Sequence, residues 1–232
     1  MALIHHAELV PSKLDLVSGW ITAQPFWPSG AQPASLRRMA AFRFDDPAGK
    51  VGIETLLLQC DQPDGTGIVS LQVPLTYREA PLDGGESAFM GTLEHSVLGT
   101  RWVYDATGDP VYLAELVRTV VTGGHEVELY YEENGERVVK EGDAHVRGSG
   151  HPDAAVPDLP ADAASLDCVS DSGTTTATAG NVRVRLARLL GGTGASGWGA
   201  ADSLRPDDGD GLLIGSWGQT EDALLAAIAR RD

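Results

Sequence analysis

Residues 69–78 read VSLQVPLTYR, and along them Val69, Leu71, Val73, Leu75 and Tyr77 alternate with Ser70, Gln72, Pro74, Thr76 and Arg78. A period of two commits this stretch to a β-strand with one buried face and one polar face. Pro74 stands in the polar set and has no N–H for a ladder, so the strand is expected at or near a sheet edge, or with a bulge there. Such a strand needs neighbours. VGIETLLLQC (51–60), SAFMGTLEH (87–95) and TRWVYDA (100–106) supply them, each bounded by Gly or Pro-Asp-Gly turn chemistry.

Two stretches change period. Ser12 is placed to cap a short helix carrying Leu14, Val17 and Ile21, which ends near Gln24-Pro25. Asp109 followed by Pro110 is an N-cap with Pro at the first helical position. The stripe Ala114, Val117, Val120 and Val121 follows, and Gly123-Gly124 stops the helix. Residues 126–142, EVELYYEENGERVVKEG, read as a hairpin whose Asn134-Gly135 suits a type I′ turn. Residues 148–180 are non-periodic Gly, Ser, Thr, Asp, Ala and Pro, which predicts a long loop. NVRVRLARLL (181–190) and GLLIGSW (211–217) are strands, while TEDALLAAIARR (220–231) fits either a helix by propensity or a hairpin return after Gly218-Gln219. No regular β-α-β alternation occurs. The sum is an α+β fold, a curved antiparallel sheet packed against two or three helices, in one domain over 1–232 with strands of 181–232 completing the sheet.

A chain of 232 residues with net charge −16 repels phosphate backbones and anionic membranes, which argues against nucleic-acid and membrane partners. No apolar run is long enough to span a bilayer, and MALIHHAELVPSK lacks the basic and apolar regions of a secretory leader, so the cytoplasm is the expected compartment. There, Cys60 and Cys168 are expected to be free thiols.

Catalytic motifs are weighed by their context. GTGASG (192–197) has the G-x-G-x-x-G spacing after a strand, but no helix follows to hold a pyrophosphate, so it reads as a hairpin loop. HPDAAVPD (151–158) approaches the H-x-D-x-x-x-x-N loop of kinase-like phosphotransferases, with Asp158 at the metal-binding Asn position. It lacks the apolar strand and metal-binding Asp that should follow, and no Gly-rich loop with a strand Lys precedes it. His5, His6, His95, His125, His145 and His151 show no ligand spacing, and there is no G-x-S-x-G elbow. No catalytic residue, cofactor or metal ligand is therefore expected.

The densest chemistry lies in LEHSVLGTRWVYDATGDPVY (93–112). His95, Arg101, Trp102, Tyr104 and Asp105 form a candidate ligand or partner surface. On a strand, Arg101, Val103 and Asp105 share one face and Trp102 and Tyr104 the other. The plainer expectation is scaffold: a surface Arg101–Asp105 pair, core packing of Trp102 and Tyr104, and Asp109 as a helix cap alone.

WITAQPFWPSG (20–30) resembles the W-[LI]-x-x-Q-x-W-F-x-G opening of the N-terminal cap of actinobacterial maltokinases. VPLTYR (73–78) resembles the V-P-L-x-Y-R strand of that cap, and HSVLGTRWVYDATGDPVY (95–112) its closing stretch. The resemblance covers roughly residues 1–125. It implies a cystatin-like sheet, a link to trehalose, maltose and α-glucan metabolism in a high-GC actinobacterium, and a free-standing cap without a kinase body. The expected function is a non-catalytic binding or regulatory module that docks on a sugar kinase or an α-glucan enzyme. The alternative is a small-molecule-binding protein or enzyme with a pocket on the concave sheet face.

Overall fold

The computed structural model describes residues 2–3, 7–62, 67–133, 136–190, 204 and 206–231. The GTGASG motif, His5, His6 and the Asn134-Gly135 turn lie outside the described residues.

The chain opens with β1 (Ala2–Leu3), β2 (Leu9–Val10) and α1 (Lys13–Ile21), followed by β3 (Arg37–Asp45), β4 (Gly52–Asp61), β5 (Ile68–Arg78), β6 (Phe89–His95), β7 (Gly99–Asp105) and α2 (Pro110–Thr122). Next come β8 (Leu129–Glu133), β9 (Glu136–Lys140), β10 (His145–Gly148), β11 (Leu166–Ser170), β12 (Thr174–Ala179), β13 (Val182–Ala187), β14 (Leu189–Leu190), β15 (Gly211–Trp217) and β16 (Thr220–Arg230). The fold is α+β and mostly sheet. A curled antiparallel sheet has the order β2-β6-β7-β5-β4-β3, and β14 joins it against β5. A second sheet runs β10-β15-β16-β13-β12-β11, and a small third one β1-β8-β9. No helix of the described residues is long and apolar enough to cross a membrane.

Both helices start where local chemistry tells them to. Ser12 and Asp15 form a capping box, and α1 buries Val17 and Ile21 before ending at Ile21, short of Gln24. Asp109 caps α2 through Val111 N–H, Pro110 takes the first turn, and Gly123 ends the helix at φ 66°, a left-handed conformation that favours glycine. The buried stripe of α2 is Tyr112, Leu113, Leu116, Val117 and Val120, while Ala114 and Val121 stay half-buried.

The alternation of β5 separates two cores. Leu56, Leu58, Val69, Leu71, Val73 and Leu75 pack with α1, Phe26 and Val103. On the other face Phe42, Phe44, Ile53 and Leu57 join α2 and the inner residues of the second sheet, among them Val184, Leu186, Ala226 and Trp217. Against the expectation from Pro74, β5 is an interior strand. It pairs with β4 along its whole length, with β14 at Ser70 and Leu71, and with β7 from Leu75 to Arg78. Gln72 N–H donates to Arg188 O, so the same edge of β5 presents Pro74 two residues later, where its second neighbour changes from β14 to β7. The missing N–H falls in that gap.

Two further expectations are corrected, and one open alternative is decided. The stretch 148–180 is no single loop, because Leu166–Ser170 pairs antiparallel with Thr174–Ala179; threonines and alanines suit strands whose inner face is closely covered, and composition alone hides that. The C-terminal strands build a second sheet of their own, and only β14 enters the first. The tail is the hairpin return, β16, antiparallel to β15 and β13.

Residues 148–151 also close the C-terminal end of α2. Gly150 N–H donates to Val120 O and His151 N–H to Val121 O, satisfying carbonyls that a helix end leaves open. The approach is so close that a Cβ on Gly150 would lie 1.9 Å from Val121 O and one on Gly148 2.1 Å from Thr119 O. Gly150→Ala is therefore expected to lower stability by about 3 kcal/mol, the upper end for overpacking against backbone, in urea denaturation. Asp109 does more than cap. Its carboxylate is fully buried and bidentate with Arg78, 2.7 Å to both Nε and Nη2. Asp109→Ala should thus cost roughly 3–5 kcal/mol, beyond the about 1 kcal/mol of a lost cap, by the same measurement.

Candidate functional site

A groove of about 850 Å³ lies on the α1 face of the curled sheet. Two of its lining residues, Lys13 and Tyr77, meet at one charged residue in an apolar strand. Glu54 of β4 is 8% exposed, and a carboxylate so placed needs partners. Lys13 at the start of α1 reaches it at 2.5 Å, the Tyr77 hydroxyl donates to the same Oε2 at 2.9 Å, and the Lys13 ammonium lies 5.5 Å from the Tyr77 ring centroid. Burial disfavours the charged carboxylate, but Lys13, Arg43 and the two hydrogen bonds outweigh it and hold Glu54 below its ordinary value. The same burial, with the neighbouring Glu54 charge, pushes the Tyr77 hydroxyl well up.

Around this cluster stand the end of β3 and the turn after it, with Arg43, Asp46 and Lys50, and the far side is made by Leu93, His95, Leu98 and Arg101. Asp46 is committed to its own turn, accepting from the N–H groups of Ala48, Lys50 and Val51 at 2.9 Å each. His95 Nδ1 accepts from Val97 and Leu98 N–H at 3.2 and 3.1 Å, which fixes its proton on Nε2 when neutral. Arg101 donates to Leu98 O at 2.7 Å. The arrangement can bind and orient a ligand. Among the described residues no three His, Cys, Asp or Glu side chains come together as a metal site.

Of the five residues singled out in the sequence, only His95 and Arg101 meet in the groove. Tyr104 is 3% exposed on the opposite face, its hydroxyl accepting from Leu82 N–H at 2.8 Å and its ring 5.4 Å from that of Phe89. Trp102 is half-buried and belongs to neither apolar core, so it is not the core aromatic expected. The Arg101–Asp105 surface pair does not form. Asp105 instead accepts from Arg188 at 2.5 Å, and Arg188 is fully buried. The Arg188 guanidinium also donates to Thr107 Oγ1 and Thr175 Oγ1 and lies 4.7 Å from the Phe26 ring centroid.

Cys60 and Cys168 are both free thiols. Burial, with Asp61 beside Cys60 and Asp105 beside Cys168, raises each thiol to about 11, which leaves neither activated as a nucleophile.

Sequence reasoning passed over Glu54, Lys13 and Arg188. The signal for Glu54 was present, a lone acid inside IETLLL; the sign for Arg188 was an arginine just where the alternation of VRVRLA breaks down.

Residues 20–109 match the family profile of the maltokinase N-terminal cap domain. The matched segment runs from the end of α1 to the Asp109 cap of α2 and holds β3 through β7, the body of the curled sheet. This cap-like segment contains Glu54, Tyr77, Arg43, Lys50, His95 and Arg101; Lys13 and the whole second sheet lie outside it. No significant match was found among curated proteins.

Because its folded value is lowered, Glu54 adds stability that is present above its unfolded pKa, about 4.3, and is lost as pH falls through the folded value. Glu54→Gln should be less stable than wild type at pH 7, and the gap should close below about pH 4. Urea midpoints across pH 3–7 measure it.

Proposed function

We propose that the protein is a cytoplasmic, non-catalytic cap-like module that docks on a sugar kinase or an α-glucan enzyme of trehalose, maltose or α-glucan metabolism. The observation that carries this reading is the match of residues 20–109 to the maltokinase N-terminal cap domain, a unit that by its name accompanies a kinase. The sequence offers no carboxylate set for Mg²⁺ and no cationic phosphate clamp in kinase spacing, both of which phosphoryl transfer needs.

An apolar rim supports docking. Val10 is 67% exposed, Val97 57% and Leu98 44%. They lie on adjoining segments, since Val10 pairs opposite Glu94 and Ser96 N–H donates to Glu8 O. Apolar side chains left in water together mark a surface that a partner covers.

Affinity capture from an extract of the native cell, with bound proteins identified by mass spectrometry, tests the proposal. A sugar kinase or α-glucan enzyme should be retained by wild type and lost with Val97→Asp/Leu98→Asp; retention of neither class, or equal retention by the variant, would contradict it. Incubated with ATP, Mg²⁺ and maltose, glucose or glucosamine, the purified protein should form no sugar phosphate. Steady product that survives repurification and needs ATP would overturn the non-catalytic reading.

A further inference from the structure

The groove on the α1 face is unusual in charge. Four of the chain's 17 Lys and Arg residues, Lys13, Arg43, Lys50 and Arg101, line it, in a protein of net charge −16. Three acids line it as well, Asp45, Asp46 and Glu79, and of these and the adjacent Glu54 most are engaged, Asp45 among them. Glu54 is held by Lys13 and Tyr77, and both oxygens of Asp46 accept backbone N–H groups of its own turn. Glu79 is exposed at the rim.

The cations are less occupied. Among the described residues no carboxylate forms an ion pair with Lys50 or Arg101, and Arg43 acts on Glu54 through space without a direct contact; Arg43 donates to Ile53 O at a long 3.4 Å and Arg101 to Leu98 O. A guanidinium carries five N–H donors, so each retains several for a ligand. These three cations come from the end of β3, the turn after it, and β7, so their sharing of one groove is a product of the fold and not of one basic run. Leu9 and Leu93 add apolar lining beside them on the α1 face, and the edges of Phe44 and Val51 reach the groove from the other core. A groove of this volume lies within the range that takes a small organic molecule.

We propose that this groove binds a small organic phosphate, with Arg43, Lys50 and Arg101 holding the phosphate and the apolar lining covering the organic part. A dianion of three free oxygens matches a groove that carries three cations better than a single carboxylate does, and two guanidinium groups supply planar forks for it. The inference goes beyond the docking proposal and does not rest on it, although Leu98 of the apolar rim also lines the groove and accepts from Arg101.

Isothermal titration of the whole protein with phenyl phosphate, inorganic phosphate and phenol tests both halves of the site. Phenyl phosphate should bind saturably and more tightly than inorganic phosphate, and phenol should show no saturable binding. Lys50→Ala, on an exposed turn, and Arg101→Gln should each weaken phenyl phosphate by about tenfold, the loss of one charge-assisted hydrogen bond. Circular dichroism melts check that each variant is folded, and Lys50→Ala carries the test if Arg101→Gln is not. No saturable binding of phenyl phosphate, binding that Lys50→Ala leaves unchanged, or phenol binding as tightly as phenyl phosphate would overturn the proposal. Loss of partner capture with phenyl phosphate binding intact would count against docking alone.

Discussion

A single buried arginine ties the two sheets together. Arg188, between β13 and β14, is fully buried and donates to Asp105 and Thr107 at the end of β7, to Thr175 on β12, and stacks over Phe26. A guanidinium removed from water needs its charge met, which Asp105 does here although Nη1 is buried without a partner, and removing one partner from such a pair leaves the other charge stranded in a poor dielectric. The backbone around it reinforces the joint. Gln72 of β5 donates from its side chain to Ala187 O and Leu225 O and from its N–H to Arg188 O, while Leu189 and Leu190 pair with β5. Strand β5 is thus a ladder neighbour to both halves of the chain.

The consequence reaches the groove. Arg101, two residues from Val103, and Tyr77, opposite Val103, are held in place by the register of β5 with β7. That register ends at Leu75–Asp105, the point where Arg188 is anchored. Arg78, next along β5, is clamped on Asp109, which also starts α2. Two buried ion pairs, one on each face of the curled sheet, therefore fix the end of β5 that carries Tyr77. The cap-like match covers Asp105, Arg78 and Asp109 but not Arg188, so the second sheet supplies what the matched segment lacks for its buried carboxylate.

Much of the architecture was legible from local rules. The strands β4 to β7, the capping box at Ser12, the Asp109-Pro110 start and the Gly123 stop each rest on side chains that speak to near neighbours. The misreadings share a different cause. Pro74 signals an edge only if both neighbours run its full length, and here one neighbour replaces another beside it. Strand β12, partner of β11, is written in Thr and Ala, whose pattern is set by what covers them rather than by hydrophobic contrast. Asp105 was assigned a partner four residues away because sequence sees only near candidates; its true partner is 83 positions on. The groove was half-visible for the same reason: His95 and Arg101 are local to one hairpin, whereas Lys13, Arg43 and Lys50 arrive through topology.

The central claim is that the Arg188 joint makes the curled sheet and the second sheet unfold as one unit. Hydrogen–deuterium exchange across a urea series, read at Leu71 in β5 and Val184 in β13, tests it most directly. The account predicts that both amides lose protection at one urea concentration, and that Arg188→Ala lowers both midpoints together by the same amount. Loss of protection at Val184 well before Leu71 in the wild type, or a midpoint for Leu71 that Arg188→Ala leaves unmoved, would contradict it.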